Sequence, residues 1–428
     1  MTTLVLRATH SPLAWSIAWR VPLALFSLLI AFLSAGSLGV GGASLVALSS
    51  ALVGPFSCFD GGLLNAFASE FDGHRPDEMR RLARSVSRVL LIRRVGPVLI
   101  AGSLAATWAR LSGVAPLVVA AVWIQLIGTG LSLVLGPFER LAQMQRRYRF
   151  LATNSFFGLL GPVAMVALLA WHPPTNAVLW WLIAASTVPL LPRAVVALRS
   201  GVVGSSWSVQ HLGGRSLSGL RTGTARDFLI LQVIAVVAFA TDVVVAKLLA
   251  LDEAAVQLSL LARLFGPATL VVALFTQDLW PRVAEARRHG EAAATEEGLA
   301  GVRRITLLGL LLGFASVPIP FIANHLLPDF AELSPGLIFA GAAWFALLSS
   351  GTAAGQVIAA LGRQRANIPH NVAMVTTNIT LSIVLGIRLG AEGFILGSLL
   401  AYSLTLYVPT LKVIRRATPS SRPTTTFP

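Results

Sequence analysis

Apolar runs of roughly the 20 residues needed to cross a bilayer recur along this chain, with polar punctuation between them. Twelve can be delimited, at about 16–35, 43–67, 95–111, 114–136, 152–171, 177–198, 228–250, 254–279, 305–327, 336–360, 371–387 and 393–413. The gaps alternate in character. Those at 36–42, 172–176, 251–253 and 328–335 are short, whereas 70–94 and 282–304 are longer, polar and patterned for partial helix. The gap at 201–226 is rich in Gly, Ser and Arg and reads as a flexible linker. The pattern predicts an all-α integral membrane protein with twelve transmembrane helices.

The second half of the pattern repeats the first. Gly54-Pro55 in the second predicted helix and Gly266-Pro267 in the eighth stand about half the chain length apart. The same offset relates Asn65 to Gln277, each just before a long connector, and the ends of helices 4 and 10 correspond more loosely. An even number of helices separates equivalent positions, so both halves enter the membrane in one orientation. Two six-helix lobes related by a pseudo-twofold axis along the membrane normal follow, as in transporters with parallel repeats. The expected division is an N-terminal lobe over 1–200, a cytoplasmic linker over 201–226, a C-terminal lobe over 227–416 and a disordered cytoplasmic tail over 417–428.

Composition agrees and charge adds orientation. Hydrophobic residues make up 55% of the chain and charged ones 12%, with a mean hydropathy of +0.76; a soluble domain carries about 25% charge. Arginines crowd every second gap. Arg75, Arg80, Arg81, Arg84, Arg88, Arg93 and Arg94 follow helix 2, Arg140, Arg146, Arg147 and Arg149 follow helix 4, and Arg282, Arg287, Arg288, Arg303 and Arg304 follow helix 8. The opposite gaps hold Arg110 and Arg388. The positive-inside rule then puts both termini in the cytoplasm, and the net charge of +15 is a matter of topology, with no nucleic-acid partner implied. Arginine dominates over the two lysines, Lys247 and Lys412, a bias that suggests a GC-rich bacterial genome, and the expected location is a bacterial cytoplasmic membrane. Cys58 stands alone, so no intramolecular disulfide or cysteine-based metal site is expected. The first apolar run lacks a small-residue cleavage site and leads into a second span.

Enzymatic motifs are missing. Neither lysine sits in a G-x-x-x-x-G-K-[ST] loop, and no H-E-x-x-H or G-x-S-x-G occurs. A membrane glycosyltransferase or polymerase is the main enzymatic alternative, but 36–42 carries no acid and no outer gap is large. The chain is therefore expected not to be an enzyme and to need no cofactor or metal. A non-transporting scaffold for a glycan assembly complex is a further alternative.

Several segments carry a family resemblance. Gly61-Gly62-Leu63-Leu64-Asn65-Ala66-Phe67-Ala68 leads into the arginine-rich Asp77-Glu78-Met79-Arg80-Arg81. Ala240-Thr241-Asp242-Val243 with Lys247 occupies helix 7, Ala262-Arg263-Leu264 helix 8, and Leu389-Gly390-Ala391-Glu392-Gly393 the last turn. Together they resemble the multidrug/oligosaccharidyl-lipid/polysaccharide exporter superfamily, specifically its Wzx-type polysaccharide flippase branch. Where many relatives carry a basic residue directly after the helix 7 aspartate, this chain has Val243. The resemblance implies a flippase that carries a polyprenyl-pyrophosphate-linked glycan from the inner to the outer leaflet by alternating access. Membrane lipids and glycan assembly enzymes would be its other partners. A cation-coupled multidrug exporter of the same superfamily is the alternative.

Ionisable residues inside a bilayer are costly, about 2.5–3.5 kcal/mol each on insertion scales, and mark function by default. Asp242 lies about 21 Å along helix 7 from its cytoplasmic start and Arg263 about 14 Å along helix 8 from the outside. The two fall at one depth on antiparallel neighbours, so a buried Asp242–Arg263 pair is expected, either neutralising two charges or presenting Arg263 to a pyrophosphate. Arg20 and Arg193 near the inner interface either snorkel or line the cavity, where guanidinium forks would meet phosphate oxygens. Lys247 near the outer end of helix 7 is interfacial or receives the head group after the switch. Asp60, Asn65, Gln277 and Asp278 cluster at the inner ends of helices 2 and 8, as gate residues or as ordinary helix-end caps. His172 and His325 are expected at outer helix ends and Trp180 and Trp181 in the aromatic belt. Pro189, Pro192, Pro318 and Pro320 should bend helices 6 and 9.

Overall fold

The computed structural model describes residues 60, 62–69, 76–96, 116–145, 222–326 and 333–416, with isolated positions at 100, 103, 107, 147 and 163. The predicted span at 16–35, most of those at 43–67, 95–111, 152–171 and 177–198, most of the linker and the 417–428 tail lie outside the described residues, as do Arg20, Arg193, His172, Trp180 and Trp181.

The described chain is helical. In the first half, α1 (Leu63–Ser69) leads to α2 (Pro76–Leu90), continued by a π-helical turn over Leu91–Val95, and to α3 (Pro116–Met144). The helix α2 lies in the first long arginine-rich gap. Pro76 supplies a fixed φ at its first position, Asp77 and Glu78 meet the positive end of the helix dipole, and Arg88 meets the negative end. Met79, Ala83, Val86 and Leu90 recur at helical spacing and are buried. Ser87 on the same helix donates to the Val134 carbonyl of α3 at 2.7 Å.

In the second half, α4 (Thr222–Leu248) is 27 residues long, enough for a span. It begins inside the segment read as a linker. Ala250 turns the chain with φ 58° into α5 (Asp252–Leu264) and α6 (Gly266–Ala286), which cross jointly around a 50° bend. Pro267 explains the bend, because it lacks an N–H and its ring clashes with the preceding turn. After a 3-10 turn at Arg287–His289 and Gly290, α7 (Glu291–Ala315) runs into α8 (Pro318–Leu326).

The connector read as partly helical over 282–304 is therefore helical on both sides of Gly290, and Glu291–Ile322 is a 32-residue stretch with a part long and apolar enough to cross a membrane. The sequence Glu291-Ala292-Ala293-Ala294-Thr295-Glu296-Glu297 is rich in strong helix formers, so the helix starts well before the apolar run does. A break at Ser316-Val317 precedes Pro318.

The remaining elements are α9 (Pro335–Ala360), α10 (Gln364–Leu389), α11 (Ala391–Ala401), a π-helical turn over Tyr402–Tyr407 and α12 (Val408–Arg415). Ser334 caps α9 by accepting from the Leu337 amide at 3.1 Å. The helices α9 and α10, and α11 with α12 as one unit, are each long and apolar enough to cross a membrane. Their packing is that of a bundle in lipid. Gly309 and Gly313 of α7 sit against Ser349 and Ala342 of α9, while Leu307, Leu311 and Phe314 on its other face are exposed. Small residues let helices approach and large apolar ones face the hydrocarbon.

Candidate functional site

Asp242 projects from α4 into the contact with α10 and α11. Ser382 Oγ donates to one carboxylate oxygen at 2.9 Å and Ser398 Oγ to the other at 2.6 Å. Asn378, one turn before Ser382, places Oδ1 2.8 Å from Ser398 Oγ and 3.4 Å from Ser382 Oγ. Asn378, Ser382 and Ser398 are 3%, 0% and 2% exposed. The Asn378 side chain also bonds to the Asp242 carboxylate, so three neutral polar side chains solvate it. The donors are all neutral, and no ion pair joins Asp242 among the described residues.

The sequence brings these residues together through glycine. A Cβ on Gly397 would stand 2.9 Å from the Ser382 backbone nitrogen, so only glycine lets α11 approach α10 this closely. The next residue, Ser398, then meets Ser382 across the contact.

Arg263 does not join this cluster. The expected Asp242–Arg263 ion pair is absent among the described residues, where ion pairs join Arg80 to Asp77, Arg282 to Asp278, Arg304 to Glu297 and Arg363 to Glu291. Depth along the two helices matches, but depth does not set rotation. The carboxylate of Asp242 turns towards the serines of α10 and α11, and Arg263 is half-buried on another part of the bundle. Lys247 lies one residue before the end of α4.

A second polar group forms where the two halves meet. Asp60 is 1% exposed and caps α1, accepting from the amides of Gly62 at 2.9 Å and Leu64 at 3.3 Å. The Gln232 side chain of α4 also bonds to this carboxylate. Arg140 of α3 donates to Asn65 Oδ1 at 3.0 Å and to Gln143 Oε1 at 2.9 Å. Gln143 donates in turn across the halves to the Gln277 carbonyl of α6 at 3.0 Å. A Cβ on Gly62, where φ is +74°, would overlap the Ala225 carbonyl of α4, so backbones of the two halves touch here.

Of the four residues read as gate or cap, Asp60 caps α1, and Asn65 and Gln277 sit in the contact between the halves. Asp278 instead pairs with Arg282 one turn along its own helix at 2.6 Å. Sequence reading missed Asn378, Ser382, Ser398, Arg140 and Gln143. The spacing of Asn378 and Ser382, one turn apart in an apolar helix, was the available signal.

The backbone is similar to solved structures of transporters. A eukaryotic MATE transporter, AtDTX14, superposes with a TM-score of 0.71 at 16% identity, over 97% of this chain and 96% of that one. The MATE multidrug transporter DinF-BH, solved in a ligand complex, gives 0.64 at 14% identity over 96% and 95%. A MOP superfamily transporter from Pyrococcus furiosus, described by a binding pocket of reverse polarity, gives 0.60 at 12% over 96% of each chain. No protein-family model matches the sequence, and no curated protein matches it. The chain has the fold of MATE transporters of the MOP superfamily, a multi-pass membrane fold whose neighbours are transporters and not enzymes.

Proposed function

We propose that this chain is a cation-coupled exporter that moves its substrate out of the cytoplasm by alternating access between two six-helix lobes, with Asp242 as the coupling carboxylate. The placement of the Asp242 carboxylate among neutral side chains, with no ion pair to it among the described residues, carries the reading. A buried carboxylate in lipid needs a neutralising partner, and here serine hydroxyls and an asparagine amide surround it in place of an arginine. A proton or a small cation would supply the missing positive charge. The contact through Asp60, Asn65, Arg140, Gln143 and Gln277 is the closed inner gate, and the arginine-rich side is cytoplasmic, with both termini there.

Reconstitution into liposomes with an imposed proton or sodium gradient tests the coupling. Efflux of a cationic fluorescent dye should depend on one of the two gradients, and Asp242→Asn should abolish that dependence. Dye movement by Asp242→Asn with the parent's gradient dependence would remove Asp242 from the role.

Arg263 favours a second reading, a flippase for a polyprenyl-pyrophosphate-linked glycan. It is half-buried and has no ion-pair partner among the described residues, and a guanidinium in that state complements a phosphate. The reverse pocket polarity described for the Pyrococcus furiosus protein is in keeping with a fold that does not fix substrate charge. Under this reading a deletion leaves lipid-linked glycan in the inner leaflet while its synthesis continues; loss of the intermediate itself would point to an enzyme.

A further inference from the structure

Three layers stack along α4, α10 and the last span, of which the Asp242 cluster is the outermost. One helical turn inward of Asp242, Asn378 and Ser398 lie Ala238, Met374 and Tyr402. These three, with Leu406, form a separate apolar cluster, 7%, 4%, 5% and 8% exposed. Trp344 of α9 closes on it, its ring edge-on to Tyr402 at 5.4 Å. Polarity returns one turn further in. Asn367, Asn371 and Thr410 are 5%, 9% and 2% exposed, and Gln364 at the start of α10 is 6% exposed. Thr410 Oγ1 donates to Asn367 Oδ1 at 2.9 Å, and Asn371 Nδ2 to the Asn367 carbonyl at 2.8 Å. Gln364 Oε1 is buried with no hydrogen-bond partner.

Gln364, Asn367, Asn371 and Asn378 share one face of α10 at helical spacing. Four buried amides on one stripe of an apolar span need a reason, because each must be satisfied or left at a cost. We propose that Gln364, Asn367, Asn371 and Thr410 form a second, neutral oxygen site for the coupling cation, the inner staging point between Asp242 and the cytoplasm, sealed from Asp242 by the Ala238–Met374–Tyr402–Leu406 layer. The inference rests on Asp242 as the coupling carboxylate.

The chemistry of the two sites suits their order. A carboxylate holds a cation, whereas neutral amide and hydroxyl oxygens bind it weakly enough to let it leave, the condition for transit. The orphaned Gln364 Oε1 is an acceptor that a cation would satisfy. The layer between has a hinge of its own. Tyr402 and Leu406 both lie in the π-helical turn Tyr402–Tyr407, and single π turns inside α-helices gather at functional sites. Relaxing that turn to α-helix would rotate Leu406 and Thr410 relative to Tyr402, unseating the layer and moving a ligand of the inner site together.

The experiment uses the full chain in liposomes, with substrate absent, and reads entry of protons by an internal pH dye and of sodium by an internal sodium dye. Met374→Ala opens the layer and should raise leakage of the coupling ion about tenfold, while Met374→Leu, which keeps the volume, stays as tight as the parent. Leu406→Ala opens the same layer from the other helix and serves if Met374→Ala fails to fold. Asn371→Leu keeps the shape and removes the oxygen; it should slow coupled transport about tenfold while the cation still protects an Asp242-dependent site from thermal unfolding. The leak should vanish when Asp242→Asn is added. Tight Met374→Ala and Leu406→Ala proteins, a leak that persists without Asp242, or an Asn371→Leu protein at the parent's rate overturns the inner site. If Asp242→Asn alone keeps the parent's gradient dependence, it is the coupling reading that falls.

Discussion

At Asp242 the decisive quantity is how the carboxylate is solvated, because no cation side chain pairs with it among the described residues. Hydrogen bonds to an ionised group contribute about 1.5–3 kcal/mol each, and Ser382 and Ser398 each provide one. Ser398→Ala removes the shorter bond and the link to Asn378 together. It should weaken the apparent affinity for the coupling cation about tenfold and leave the yield of folded protein near that of the parent. Gradient-driven transport measured against cation concentration checks this, and an unchanged half-saturation point would mean that Ser398 does not serve the carboxylate. Arg263 calls for the opposite pattern. Since it holds no pair with Asp242, Arg263→Gln should not leave an uncompensated Asp242, and folded yield should stay within about twofold of the parent. Its effect should fall on substrate choice, read as relative transport of a cationic dye and a pyrophosphate-linked lipid. A collapse in yield rescued by Asp242→Asn would restore the ion pair that the geometry rejects.

At the scale of elements, the Asp242 cluster depends on how closely α10 and α11 pack. Gly397→Val places a side chain within 3 Å or so of the Ser382 backbone, and overpacking of this kind costs about 1–3 kcal/mol. The expected outcome is a lower midpoint of thermal unfolding in detergent, together with a cation affinity reduced as in Ser398→Ala. Normal affinity in an unstable protein would show that Ser398 keeps its place despite the strain. Spans were legible because the apolar runs over 336–360, 371–387 and 393–413 are long and bounded by charge, and each lies within or close to an observed helix. Helix ends were less so. Apolar periodicity stops at the membrane surface, whereas α7 continues into polar sequence rich in helix formers and α4 does so where Ala225 and Phe228 pack against Gly62. The bend at Pro267 follows from the missing N–H, but the π-helical turns at Leu91–Val95 and Tyr402–Tyr407 leave no mark in residue type. Asp242 stood out as a charge in lipid, while its partners are serines and an asparagine, which are common in spans and become a site only through helix rotation.

For the whole molecule, the question is what holds the halves together on the arginine-rich side. Arg140 is the hub, bonded to Asn65 in its own half and to Gln143, which reaches the Gln277 carbonyl in the other. Asp60 adds a bond to Gln232 across the same boundary. Buried donors and acceptors of this kind cost more when left unmade than they give when made, so under the proposed alternating-access reading the contact must break as a unit for the inner side to open. Arg140→Ala removes two of its bonds and leaves Gln143 Oε1 without its donor. In a Cys58→Ser background, Gln277→Cys retains the backbone carbonyl that Gln143 uses and reports access to the boundary. Adding Arg140→Ala should speed its reaction with a membrane-impermeant thiol reagent about tenfold, and only when the reagent is applied from the cytoplasmic face in inverted vesicles. Faster labelling from the outer face would reverse the orientation assigned to the arginine-rich connectors. An unchanged rate from either face would mean that Arg140 braces α3 against α1 without holding the gate.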